Sequence, residues 1–176
     1  MVGPISSGKG TASQYLKDKY NAEIFRFSTI LRDVLDRLHL EQSRENMQIL
    51  STSLRSTFGE DLLSKVIYND LKNSKSDIVV LDGVRRQSDI QYIKEDPDFH
   101  LVEIDADSQI RFDRIIKRGE NSDDKKKTFE DFLADEQRET ELQIKAVAET
   151  AEYHLDNNGT TAELYDQIEE ILNKSR

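Results

Sequence analysis

The chain has 176 residues, 36% hydrophobic and 34% charged, with a formal net charge of −10 and no cysteine. That length suits one domain burying about two-thirds of its unfolded surface, and the missing cysteines exclude disulfides, thiolate catalysis and cysteine-bound zinc. The acidic balance argues against a nucleic-acid surface, which needs a basic face to displace counterions, and no apolar run approaches the roughly 18 residues of a membrane span. A cytoplasmic protein with a small anionic ligand is the expectation, because such a ligand needs only a local cluster of cations.

The first informative segment is Gly3-Pro4-Ile5-Ser6-Ser7-Gly8-Lys9-Gly10-Thr11. A run of this kind wraps around a phosphate with its backbone N–H groups pointing inward, and Gly3 and Gly8 are expected to permit the close approach. Gly3, Ser6, Ser7, Gly8, Lys9, Gly10 and Thr11 are therefore the expected phosphate-binding residues, with Lys9 bringing a mobile charge to the β- and γ-phosphates of a nucleoside triphosphate. A helix from Gly10 to about Tyr20 adds its N-terminal dipole. Only Met1-Val2 precede the loop, so the strand that should lead into it reads as truncated. The hydroxyl arrives one residue late, at Thr11, and Gly10 cannot ligate Mg²⁺, so a metal would be held through water and a carboxylate.

Downstream, Ile24 to Phe27 reads as a short strand closed by Ser28, which can cap a helix to about Leu38. Met47, Leu50, Leu54 and Phe58 mark a helix from about Ser43 to Gly59, and Leu62, Leu63, Val66, Ile67 and Leu71 mark another. Asp77 to Asp82 is the clearest strand, and its continuous apolar run predicts burial on both faces. Next come a helix from about Gln87 to Lys94, a strand from His100 to Asp105, and a helix capped by Asp107 or Ser108 that carries Arg111, Arg114 and Arg118 on one face. A charged loop, Gly119 to Lys127, precedes one long helix from Thr128 to about Thr150. A strand near Tyr153 to Asp156, the turn Asn157-Asn158-Gly159 and a final helix with a Thr160/Glu163 capping box complete the chain. His39, His100 and His154 lack metal-ligand spacing. The alternation of helix and strand patterns predicts a parallel sheet covered by helices.

The Gly8-Lys9-Gly10-Thr11 ending resembles adenylate kinase and its relatives, the P-loop nucleoside monophosphate kinases. Asp82-Gly83-Val84-Arg85-Arg86 is similar to their Asp-Gly-Phe-Pro-Arg run, and Ser28-Thr29-Ile30-Leu31-Arg32 resembles, in shorter form, their Ser-Thr-Gly-Asp-x-Leu-Arg region. The resemblance spans most of the chain and implies a three-layer α/β P-loop kinase fold with a parallel sheet of about five strands. It implies a single domain over 1–176, with acceptor-binding helices at about 28–73 and a small lid at about 114–138. The implied activity is transfer of the γ-phosphoryl group of ATP, with Mg²⁺, to a nucleoside or deoxynucleoside monophosphate. Asp82 would orient the metal through water, Ser28, Arg32, Arg44, Arg85 and Arg86 would bind the acceptor, and Lys9, Arg114, Arg118 and Arg138 would act on the transferring group.

The tail from Ala151 to Thr160 resembles dephospho-coenzyme A kinase, whose similar Asn-Asn-Gly-Thr turn lies near the adenine of ATP; it implies adenine contacts from Asn157, Asn158 and Gly159. That acceptor is the second reading, since Asp82-Gly83-Val84-Arg85-Arg86 stands where those enzymes show a Pro-Leu-Leu-Phe-Glu type run. A nucleotide-binding protein without turnover is the third, and the short first strand gives it weight.

Overall fold

Two pairs of short parallel strands carry the fold. In the computed structural model, which describes residues 1–118, 127–137 and 139–175, α1 (Lys9–Tyr20) is followed by β1 (Glu23–Arg26), α2 (Phe27–Arg37), α3 (Arg44–Phe58) and α4 (Leu62–Lys72). Then come β2 (Val79–Asp82), β3 (Val102–Asp105), α5 (Ser108–Arg118), α6 (Phe129–Glu136), α7 (Glu139–Ala148), β4 (Tyr153–Asp156) and α8 (Thr161–Lys174). β1 pairs with β2 in a register that sets Phe25 opposite Leu81 and Arg26 opposite Asp82. β3 pairs with β4, Asp105 opposite Asp156.

Met1 and Val2 connect the two pairs. The Met1 amino group donates to the Leu81 carbonyl at 2.6 Å, while the Val2 N–H donates to Val102 O at 2.9 Å and the Ile104 N–H to Val2 O at 3.0 Å. The first strand is thus a single bridge, Val2 to Glu103, and the expected sheet of about five strands consists of four strands and this bridge among the described residues.

Helices cover both faces. Ala12 and Leu16 of α1 and Leu164 and Ile168 of α8 pack with Val80, Ile104 and Leu155. On the other face, Phe27 and Leu31 of α2, Leu63 and Ile67 of α4, and Ile144, Val147 and Ala148 of α7 pack with Leu81, Val84 and Leu101. Val80 and Leu81 go to opposite layers because successive strand side chains alternate, which is why β2 is apolar at consecutive positions.

Several predicted boundaries move, for identifiable reasons. β1 ends at Arg26 and α2 starts at Phe27, so Ser28 is the second residue of the helix rather than its cap. Burial of Phe27 one turn from Leu31 draws it into the helix. The strand predicted from Asp77 pairs only from Val79, and the one predicted from His100 only from Val102. The long helix expected from Thr128 is two: Phe132 of α6 packs against Phe112 of α5 with ring centroids 5.8 Å apart, whereas Ile144 and Val147 join the core beneath α2. One straight helix cannot aim these stripes at two different clusters. The Thr160/Glu163 box caps α8 as predicted. No helix of the described residues is long and apolar enough to cross a membrane.

The helix expected from Gln87 to Lys94 is only a 3₁₀ turn, Gln87–Ile90, and within it Asp89 is a structural anchor. Its carboxylate, 2% exposed, pairs with Arg55 Nη2 at 2.8 Å, and its second oxygen accepts the N–H groups of Arg85 at 2.9 Å and Arg86 at 3.0 Å. Ser64 Oγ donates to the Asp89 carbonyl at 2.9 Å. This buried cluster ties α3 and α4 to the loop after β2. Asp89→Ala strands the Arg55 guanidinium and two amides, so chemical denaturation should register a loss of about 3–5 kcal/mol; a change under about 1 kcal/mol would remove Asp89 from the frame.

Candidate phosphate-binding site

The loop between Val2 and α1 owes its shape to what lies behind it. Gly3 (φ 143°), Ser6 (φ 58°) and Gly8 (φ 115°) adopt backbone conformations on the positive side of φ. A Cβ on Gly3 would stand 2.1 Å from the Ile104 carbonyl oxygen, and one on Gly8 would stand 2.1 Å from Asn157 Nδ2. Both glycines are therefore required by the protein's own backing, a requirement distinct from the ligand approach anticipated from the sequence. A Cβ on Gly10 meets nothing within 4 Å. Asn157 Nδ2 donates to Ser7 O at 2.7 Å, and Ser7 is fully buried. No side chain caps α1, which leaves its first-turn N–H groups for an outside acceptor. The buried Ser6 Oγ has no hydrogen-bond partner among the described residues.

Lys9 lies inside this loop, its Nζ donating to Gly3 O at 2.6 Å and Pro4 O at 2.7 Å. Burial pushes its ammonium down to about 8, while the negative fields of Asp82 and Glu141 pull it up and Arg85 pushes it down. Asp82, at the end of β2, accepts Arg26 Nε on one carboxylate oxygen at 3.0 Å. Its other oxygen has no hydrogen-bond partner among the described residues, and the side chain is 13% exposed. Among those residues no group of three or more acidic or histidine side chains could hold a metal ion. A lone half-engaged carboxylate beside a phosphate loop does fit a magnesium ion held mainly by phosphate oxygens and water.

The remaining expected residues are dispersed. Arg114 is half-buried against the loop, its Nη2 donating to Asn157 O at 2.8 Å, and Arg118 lies exposed at the end of α5. Arg138 and positions 119–126 of the expected lid lie outside the described residues. Arg85 is exposed within electrostatic reach of Lys9, whereas Arg86 Nη1 is engaged with Glu60 at 2.8 Å. Ser28 is half-buried, Arg32 Nη1 donates to Gln42 Oε1 at 2.9 Å, and Arg44 opens α3, its side chain outside the described structure. Thr11 is half-buried on α1. The Asn157 amide is spent bracing the loop, Asn158 Oδ1 accepts the Asp107 N–H at 2.7 Å, and Gly159 packs closely on Glu163.

Arg26 and Glu141 were not anticipated. Arg26 reaches the site only through strand register, which local patterns do not carry. Glu141 lies on the stripe of α7 that also holds Ile144 and Ala148, a spacing visible in the sequence but unaimed until α7 is separated from α6. A cleft of about 250 Å³ beside β3 and β4 is lined by Glu103, Asp105, Asp107 and Asp156, and four carboxylates make it unsuited to phosphate.

Among curated relatives, a UPF0200 protein of Sulfurisphaera tokodaii is 26% identical over 176 residues, covering 99% of this chain and 94% of its own. Another from Methanosarcina barkeri is 25% identical over 173 residues, covering 97% and 91%. Among solved structures, TT1252 from Thermus thermophilus matches with a TM-score of 0.63 at 14% identity, covering 98% of this chain and 94% of that one. Shikimate kinase from Acinetobacter baumannii in complex with shikimate matches with 0.54 at 15% identity, covering 98% and 91%. These likenesses show the fold, an α/β P-loop kinase fold with helices flanking parallel strands. A family model described as an AAA domain matches residues 2–133, and over that span, more than half of its length, the chain belongs to this P-loop family.

Proposed function

We propose that the protein is an ATP-dependent phosphotransferase that moves the γ-phosphoryl group to a nucleoside or deoxynucleoside monophosphate, with residues 1–176 as one kinase domain. The observation that carries this reading is a half-buried lysine inside a glycine-backed loop, within electrostatic reach of a half-engaged aspartate at the end of a parallel strand. Ligands of open α/β sheets sit at these carboxyl ends.

Triphosphate oxygens would take the first-turn N–H groups of α1 and the Ser6 and Ser7 segment, and Lys9 Nζ would exchange the Gly3 and Pro4 carbonyls for them. Asp82 would orient a magnesium ion through water, and such an ion would supply charge neutralisation on the phosphates. Arg85, Arg32 and Ser28 would hold the acceptor phosphate, with Arg86 joining if it leaves Glu60 and with Arg44 as a further contact. Arg114, already against the loop, would neutralise the transferring group together with Arg118 and Arg138. The adenine would lie against the Asn158–Gly159 turn that Asn157 anchors. A phosphate nucleophile needs no strong general base, so positioning and charge dominate.

Glu141 favours a second reading. Its carboxylate is within electrostatic reach of Lys9 and could serve as base for a hydroxyl acceptor such as dephospho-coenzyme A. A transfer assay over nucleoside monophosphates, deoxynucleoside monophosphates and dephospho-coenzyme A discriminates these acceptors: Glu141→Gln should cost about a hundredfold or more in kcat only if a hydroxyl is the nucleophile. Nucleotide binding with no transfer to any acceptor would support the non-catalytic reading.

Lys9→Met should lower transfer roughly a thousandfold or more without lowering the melting temperature of the nucleotide-free protein. Near-normal turnover would remove the loop from the active site. Nucleotide affinity should also depend on pH in a defined direction. Below the free-state value of about 8, Lys9 is already charged and contributes no dependence. Above it, binding must return a proton to Lys9, so the Kd should rise by up to about tenfold per pH unit. Calorimetry in buffers of different ionisation enthalpy should show that uptake above pH 8 and its loss in Lys9→Met. On the acceptor side, Arg32→Ala and Arg85→Ala should raise the acceptor KM and leave the ATP KM nearly unchanged, as measured by initial rates with both substrates varied.

A further inference from the structure

Arg26 stands where the donor and acceptor sides meet. β1 delivers it opposite Asp82, its Nε donates to the carboxylate at 3.0 Å, and its side chain remains 46% exposed. Its two terminal amino groups have no hydrogen-bond partner among the described residues. It immediately precedes α2, which carries Ser28 and Arg32, two of the residues assigned to the acceptor in the reading above. A guanidinium with two unoccupied amino groups has the fork geometry that recognises a phosphate monoester.

Asp82 meets two competing demands. It pairs with Arg26 through one oxygen, and it is the carboxylate placed to orient a metal ion. A divalent cation near the free oxygen withdraws negative charge from the pair and repels the guanidinium, which weakens the hold on Arg26.

We infer that Arg26 is an acceptor-phosphate-binding residue that Asp82 restrains until a metal ion takes over the charge of that carboxylate. The inference rests on the donor-site reading above. Its consequence is positive coupling: the donor's metal prepares the site for the acceptor phosphate, and by linkage the phosphate tightens the metal complex by the same factor.

The test titrates inorganic phosphate calorimetrically into protein saturated with β,γ-imido-ATP, once with Mg²⁺ and once with EDTA. The loop is filled in both, so phosphate reports on the acceptor side alone. In the wild type, Mg²⁺ should tighten phosphate binding about fivefold or more. In Arg26→Ala that factor should fall below about twofold while the metal-free nucleotide affinity stays close to wild type. Arg26→Lys, which keeps the charge without the fork, should retain part of the factor and serves as the test variant if the alanine form is unstable. A full wild-type factor in Arg26→Ala overturns the inference and leaves the donor reading standing, as does absent phosphate binding by the wild type with Mg²⁺ present. Failure of the wild type to bind the nucleotide analogue overturns both.

Discussion

The site depends on one constraint: parallel strands buried on both faces must end together at one edge of the sheet. That pairing places Arg26 opposite Asp82 and sets the Ile104 carbonyl against Gly3. It also brings the turn after β4 beneath Gly8, where Asn157 grips Ser7. A loop whose carbonyls need partners beyond its own backbone is not stable by itself. Here it is backed by β3 on one side and by the Asn157 amide on the other. The glycines serve that backing first, and the first turn of α1 is left without a side-chain cap.

The arginines divide by how deeply they are buried. Arg55 and Arg111 are 6% and 5% exposed. Arg55 is spent on Asp89, and Arg111 on the Ala106 carbonyl at 2.7 Å and on Glu136. These belong to the frame, and their removal would leave buried charges uncompensated. Arg85 and Arg26 keep much of their surface in water. A guanidinium that is anchored yet open can receive a phosphate without dismantling the core, which separates a binding cation from a structural one. In a protein of net charge −10, concentrating open cations at one sheet edge creates a local attractive field that the overall charge does not reveal.

Lys9 illustrates the same balance. Its half-buried ammonium, held down to about 8 by desolvation, rests on the carbonyls of Gly3 and Pro4. The strain of keeping a partly desolvated cation is relieved by a ligand that brings negative charge with it. Asp82 offsets part of that strain in the free protein and is itself only half satisfied.

The Thr160/Glu163 box was legible in the sequence because it depends on contacts within a few residues, and the glycine-rich loop and the apolar strand ending in Asp82 were legible as local patterns, although what holds the loop in shape lies far along the chain. The helical faces of α3 and α4 were legible for the same reason. Tertiary structure decided what spans longer separations. The Gln87 segment carries Asp89, which is engaged by Arg55, 34 positions earlier in the chain, a pairing no local pattern announces. The Thr128 helix broke because its two apolar stripes serve different clusters. Met1 and Val2 bridge Leu81 and Val102, a connection that no local pattern announces. Arg26 and Glu141 entered the site through strand register and helix aim, which are set by packing across the sheet. The sequence by itself determined which chemistry-bearing segments exist, since backbone propensity and capping act over one turn or one strand; only the tertiary structure decided which charges face one another, since that follows from burial shared by residues far apart in the chain.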